Sequence, residues 1–333
     1  MHTMTSQKRK KVMIVEDSPV DLAILKHYLE KDYDIIALQN PYHVVQSARS
    51  KHPDLVLLDV VMSKIGGFEI CKRLKSDPDT TDIPVIFISS TGDSSAETLG
   101  FDLGAVDFFH KPVSAPVFRA RIKSHIELSR MTEIKSSRLE IIRKLGVASE
   151  YRDNETGNHL LRMSRYCQVL AKSYGLDLEE VEDIYVAATM HDVGKIGIPD
   201  SILLKQEKLT PEEFKVIKTH PVIGANIIGE HKSGVLKVAR DICIGHHEKW
   251  DGSGYPYGLK GNEISLPARI ASIADVFDAL HTDRPYKKGW PIGQAVDYIL
   301  SQAGISFDPE LVILFQENLI EILKAKTETV TAA

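Results

Sequence analysis

KVMIVEDSPVDLAILKHYL, residues 11–29, passes from an apolar run to a pair of acids and then to an amphipathic stretch. Residues 11–15 have the pattern of a buried strand, Glu16 and Asp17 stand at its carboxyl end, and residues 20–29 have the pattern of a helix. The rhythm repeats as far as about residue 113. Further strands are expected at 35–38, 55–60, 85–89 and 106–109, with helices at 42–49, 68–75 and 96–104. Five short strands alternating with helices imply an α/β domain, a (βα)5 doubly wound parallel sheet covered on both faces. Ligands in such sheets sit at the carboxyl ends of the strands.

After Pro112 the strand rhythm stops. Ser114 suits an N-cap with Pro116 in the first turn, opening a helix that runs beyond Glu127. Phe118, Ile122, Ile126, Met131, Ile134, Ile141 and Leu145 approximate a helical stripe, interrupted by Arg138. The stripe suits pairing with a second copy of the chain and a solvated single helix about equally. Helices are expected almost throughout the remainder, for example at 156–173, 181–190, 269–280 and 310–323. The expected organisation is a polar extension at 1–10, the α/β domain at 11–125, a helical linker at 126–144 and an all-helical domain at 145–333.

At 333 residues, two domains are the default expectation. Composition is that of a soluble globular protein, 43% hydrophobic and 26% charged. The longest apolar runs are strand-sized, so no membrane segment is expected. The N-terminus lacks the apolar stretch of a signal peptide, and Cys71, Cys167 and Cys243 are scattered. Both features suit a cytoplasmic protein with reduced thiols. The net charge of −5 arises wholly after residue 125 and gives no support to duplex DNA binding.

Acids end the first and third strands: Glu16 and Asp17, then Asp59. Ser89 closes the fourth strand, and Lys111 follows the fifth within HKP. A divalent cation, a nucleophilic carboxylate, a hydroxyl and an ammonium group are the parts needed to take a phosphoryl group onto Asp59. In this ordered set, residues 11–125 resemble a response-regulator receiver domain. The resemblance implies Asp59 as phosphoacceptor, Glu16 and Asp17 with it as magnesium acids, Ser89 as switch hydroxyl, Phe108 as switch aromatic and Lys111 as the phosphate-pairing lysine. It also implies a partner sensor histidine kinase. In DVVMSKIGG the chain departs from the family, which usually has proline where Ser63 stands.

Between Glu155 and Asp275 stand eight side chains that bind hard or borderline metals: Glu155, His159, His191, Asp192, His220, His246, His247 and Asp275. They exceed the needs of one ion, and imidazole with carboxylate and no thiolate points to hydrolytic or phosphoryl chemistry. Glu155 and His159 are four apart and share a helical face. Asp192, beside His191, can bridge two ions, with Lys195 one turn beyond. His246 and His247 diverge by roughly 100° on a helix and are expected to serve different ions. Asp275 lies inside an apolar helix, where a carboxylate needs a partner or a metal. His220 alone has the look of a helix-start residue; its company shifts that reading toward a ligand.

The strings YRDNETGNHLLR, MHDVGKIGIPD, KTHP, HHEKWDGSGYP and ADVFDALHTDRPYK resemble the HD-GYP family of HD-domain phosphohydrolases. The resemblance covers about residues 145–325. It implies a cyclic di-GMP phosphodiesterase giving pGpG and/or GMP, controlled through Asp59. Two divalent ions are implied, or three with Glu155, and iron and manganese both suit the ligands. A water bridging two ions is acidified enough to supply hydroxide at neutral pH. Asp192 and Lys195 are the expected catalytic pair, while Lys195, Arg284 and Lys287 would meet the phosphate. Gly254, Tyr255 and Pro256 are expected to be mainly architectural. A hydrolase of another nucleotide, or a non-catalytic adaptor binding cyclic di-GMP or partner proteins, stays open. Ile305-Ser306 before Phe307 departs from the family's usual Thr-His.

Overall fold

The computed structural model describes residues 9–90, 94–150, 158–282 and 288–331, with their side chains except at 150 and 326–331. Two compact units divide the chain, Met1–Lys135 and Ser136–Ala333. The first contains β1 Lys11–Val15, α1 Pro19–Leu29, β2 Asp34–Leu38, α2 Val44–Lys51, β3 Leu55–Asp59, α3 Gly67–Lys75, β4 Val85–Ser89, α4 Ser94–Asp102 and β5 Asp107–His110. A tight 3-10 turn, Pro41–His43, leads into α2. α5, Ala115–Glu150, is one continuous helix, and the division between the units falls within it.

The strands are parallel in the order β2-β1-β3-β4-β5. Alternate side chains feed two apolar layers. Met13, Val15, Val56, Leu58, Val85 and Phe87 face α2 and α3, whereas Val12, Ile14, Leu55, Leu57, Ile86 and Ile88 face α1 and the start of α5. Burial on both faces is why these strands are continuous apolar runs rather than alternating ones. The chain moves outward from β1 to β2 and then crosses to β3, so the carboxyl ends of β1 and β3 lie side by side at the switch point. Glu16, Asp17 and Asp59 are at those ends.

The second unit is helical: α6 Asn158–Tyr174, α7 Leu178–Ala187, α8 Asp200–Leu203, α9 Pro211–Ile217, α10 His220–Ile228, α11 Val235–Gly245, α12 Leu266–His281, α13 Ile292–Ser301, α14 Pro309–Glu317 and α15 Leu319–Thr331. Leu170 of α6, Ile184 of α7, Ile242 of α11, Ile273 and Phe277 of α12 and Phe315 of α14 share one buried core. No helix among the described residues is long and apolar enough to cross a membrane.

Two helices differ from expectation at polar residues that compete for the backbone. The stretch 181–190 starts earlier, at Leu178, because Asp177 and Glu180 form a reciprocal capping box. It then tightens to a 3-10 turn over Ala188–Met190, where Thr189 Oγ1 donates to the Val186 carbonyl at 2.7 Å. The stretch 310–323 is split at Asn318, whose amide donates to the Leu314 carbonyl at 2.9 Å.

Backbone meets backbone at two places near His191 and Asp192. A Cβ at Gly146 of α5 would lie 2.3 Å from the Thr189 carbonyl oxygen. A Cβ at Gly194 would lie 1.9 Å from the His220 carbonyl oxygen and 2.5 Å from the Gly224 nitrogen. The 3-10 segment Val193–Gly197 can therefore press directly on α10, which brings Asp192 to His220. Gly194→Ala is expected to cost about 1–3 kcal/mol through overpacking. Thermal unfolding should register this as a Tm lower by roughly 2–10 °C, with an unchanged Tm contradicting the close approach.

Candidate functional site

The first unit gathers its acids around one ammonium. Lys111 Nζ lies 2.7 Å from Glu16 Oε2, 2.7 Å from Asp59 Oδ2 and 2.8 Å from Asp21 Oδ2. Burial pushes Glu16 up to about 7, with Asp59 adding to the rise against the pull of Lys111. Burial would lower Lys111, but Asp21, Asp59 and Glu16 together hold its ammonium above the ordinary value. One ammonium leaves this group of carboxylates with excess negative charge, which suits a hard divalent cation with oxygen ligands. Asp59 Oδ1 accepts the Val61 N–H at 3.0 Å, and Asp17 Oδ2 accepts the Ser63 N–H at 2.7 Å. A proline at position 63 could not supply that donor. Ser89 is buried at the end of β4, and Phe108 packs near Phe87 and His110, with ring centroids 6.0 and 5.3 Å away.

The second unit brings the histidines together at helix ends. His159 is in the first turn of α6, His191 follows the Ala188–Met190 turn, His220 opens α10, and His246 and His247 follow α11. Two groups of ligand atoms result, each within 4.8 Å of one another: Asp192, His220, His246 and His247 in one, and His159, His191 and Asp275 in the other. Asp192 reaches both. Its Oδ1 is 3.0 Å from His220 Nε2 and 3.5 Å from His246 Nε2, while its Oδ2 is 3.3 Å from His191 Nε2. Lys195 Nζ lies 2.8 Å from Asp192 Oδ2. Across the second group, His159 Nε2 is 3.6 Å from Asp275 Oδ1.

The donor set fits cations. His191 Nδ1 faces the Ala188 carbonyl at 3.0 Å, His220 Nδ1 the Ile217 carbonyl at 2.7 Å, and His246 Nδ1 the Ile242 carbonyl at 3.0 Å. A carbonyl oxygen only accepts, so the proton is on Nδ1 and the Nε2 lone pair points inward. His159 follows the same rule with a carboxylate, its Nδ1 lying 2.7 Å from Asp278 Oδ2. Burial lowers both His246 and His247, keeping the rings neutral and able to coordinate. Burial opposes ionisation of Asp192, yet the Lys195 ammonium beside it holds its carboxyl well below the usual range. Converging lone pairs and ionised carboxylates, with no thiolate among them, suit borderline divalent metals.

One expectation is corrected. Neighbours on a helix would carry His246 and His247 to different ions, but both belong to the Asp192 and His220 group, with ring centroids 4.0 Å apart. The helix stops at Gly245, so the angular separation of helical neighbours does not apply to the pair. Glu155, Arg284 and Lys287 lie outside the described residues.

Three contributors carry no assigned role in the sequence reading. Asp278 is buried and held by Arg162, whose Nε and Nη2 donate at 2.7 and 2.8 Å, and it orients His159. The i, i+3 spacings from His159 to Arg162 and from Asp275 to Asp278 were the available signal. Glu248 is buried and accepts the Tyr257 and Leu259 N–H groups at 2.7 and 3.1 Å, fixing the GYP loop. Gly254 is required there, since a Cβ would lie 2.3 Å from the Lys249 nitrogen. Tyr255, expected to be architectural, also stacks on His247 with centroids 4.7 Å apart. Ile305 and Ser306 accept the Asp251 and Trp250 N–H groups through their carbonyls, so this departure from the family still supports the loop through its backbone.

Known families cover both units. The model of the response regulator receiver domain matches residues 12–123, and that of the HD domain matches residues 126–311. The chain is 39% identical to a probable cyclic di-GMP phosphodiesterase of Vibrio cholerae, across 93% of this chain and 79% of that protein. It is 36% identical to the cyclic di-GMP phosphodiesterase response regulator RpfG of Xanthomonas campestris, across 90% and 85%. A cyclic di-GMP phosphodiesterase of Thermotoga maritima is 34% identical across 91% and 89%. The chain belongs to the HD-domain family and carries a response regulator receiver domain ahead of its HD domain.

Proposed function

We propose that this chain is a metal-dependent cyclic di-GMP phosphodiesterase governed by phosphorylation of Asp59. The observation that carries the reading is the Asp192 carboxylate, with one oxygen toward each group of ligands. The names of its relatives supply the substrate. In this reading His159, His191 and Asp275 hold one ion, His220, His246 and His247 hold another, and Asp192 is shared. Iron or manganese suits these nitrogen and oxygen donors. Glu155 is the candidate for a third ion.

Bound cations would supply charge stabilisation at phosphorus and acidify a water for attack. Lys195 holds Asp192 in its bridging orientation and adds positive charge beside the phosphate. Arg162 and Asp278 fix the His159 ring, as a carboxylate behind a ligating imidazole does. Arg284 and Lys287 clamp phosphate oxygens in the same reading, and the products are pGpG and/or GMP.

In the receiver, a sensor histidine kinase delivers the phosphoryl group to Asp59 beside a magnesium ion held by Glu16, Asp17 and Asp59. Lys111 and Ser89 then pair the new negative charge, and Phe108 packs behind that change. The domains in this reading are 11–125 and 145–333, joined by the helical linker 126–144. Exposed Leu128, Met131, Ile141 and Leu145 on α5 support pairing with a second copy. Cys71, Cys167 and Cys243 are free and buried, with thiols pushed up by that burial, which suits a reducing cytoplasm.

Anaerobically purified, metal-quantified protein is expected to convert cyclic di-GMP to pGpG or GMP, identified by chromatography; no conversion with metal bound would refute the activity. Asp192→Ala should abolish turnover and lower metal content while the Tm stays within a few degrees, and an active, metal-replete variant would remove the bridging role. Asp278→Asn, which weakens the acceptor behind His159, is expected to reduce metal affinity or activity by about 10–100-fold. Phosphorylation of Asp59 should change turnover by about fivefold or more, with identical rates before and after counting against receiver control.

A further inference from the structure

Lys218 follows α9 and stands two residues before His220. Its ammonium lies 5.0 Å from the Phe214 ring centroid and 4.9 Å from that of Tyr255. Tyr255 is the ring stacked on His247. Two contacts thus connect Lys218 to the metal-ligand cluster. Among the described residues no carboxylate pairs with this ammonium, and Glu213 of the same helix is held by Lys205 at 2.7 Å. A partly buried cation is therefore steadied by aromatic faces, which attract it through their quadrupoles and leave its N–H donors for another acceptor.

We infer that Lys218 binds the second phosphate of a cyclic dinucleotide, the one left intact while the other is cleaved at the metal cluster. The inference rests on the phosphodiesterase reading of that site and adds a basis for selectivity. A cluster of cations with Lys195 accommodates any phosphodiester. A cyclic dinucleotide carries two such groups on one small ring, so a second fixed cation close to the cluster favours it over esters with a single phosphate. Lys218 has that placement, held by the loop that Glu248 and Gly254 fix. It is a binding residue distant from the reacting bond, so its contribution should be equal in ground and transition states.

Steady-state kinetics of the metal-loaded full chain test this assignment. Lys218→Met keeps much of the apolar stem and removes the charge. It is expected to raise KM for cyclic di-GMP about tenfold with kcat within about twofold. Lys218→Arg should recover most of the loss, and Lys215→Ala, an exposed lysine on the same helix, should leave KM as it was. Wild-type KM should also climb more steeply with salt than that of Lys218→Met. A wild-type KM in Lys218→Met would overturn the assignment, as would a fall in kcat that Lys218→Arg does not repair, the mark of a purely structural role. A wild-type chain that neither binds nor cleaves cyclic di-GMP would sink the enzyme reading together with this one; an active wild type with an indistinguishable Lys218→Met sinks this one alone.

Discussion

An imidazole that is to hold a cation must keep its proton on the far nitrogen, and this constraint organises the second unit. His191, His220 and His246 each follow a helical segment closely enough for the ring to fold back on a carbonyl three or four residues earlier. Those carbonyls take the Nδ1 protons, and at Ala188 and Ile242 the same oxygen also accepts the histidine's own backbone N–H. The second lone pair of a carbonyl oxygen thus orients the ring, and the Nε2 lone pairs are aimed at one another. The resulting convergence is costly unless positive charge enters it, because buried donors and carboxylates would otherwise face each other without compensation. At His159 a side chain does this work. Asp278 replaces the carbonyl, and Arg162 neutralises Asp278.

The same economy marks the receiver. The carboxyl ends of β1 and β3 adjoin because the chain reverses direction across the sheet at that point, so acids far apart in sequence become neighbours. Lys111 arrives from the end of β5 and partly balances them. Ser63 contributes a backbone donor to Asp17 that the usual residue of the family could not offer. This ties the loop after β3 to one of the acids expected to bind magnesium.

Much of this was legible in the residues. Strands buried on both faces are apolar throughout, and the HD and HH dipeptides with their companions stand out by composition alone. Positions at helix ends were less legible. His246 and His247 were expected to diverge because a helical angle was applied one residue past the helix, and Asn318 splits a stretch whose apolar pattern continues on both sides. Pairings between distant segments left still less trace. The i, i+3 spacings put Arg162 beside His159 and Asp278 beside Asp275, but they do not pair the two helices, whose partners lie more than a hundred residues apart. Glu248 binds backbone groups, which no side-chain pattern records.

The glycine at position 146 has a mechanical meaning. Where helices normally touch through side chains, a rotamer change absorbs small displacements. Here α5 meets the Thr189 carbonyl with only a hydrogen atom on Gly146 between them, two residues ahead of His191. The joint has no cushion. A slide or twist of α5 at this point would meet the segment bearing His191 and Asp192 with no side chain between them to absorb it, so the end of this helix is placed to act as a stiff lever on the geometry of the cage.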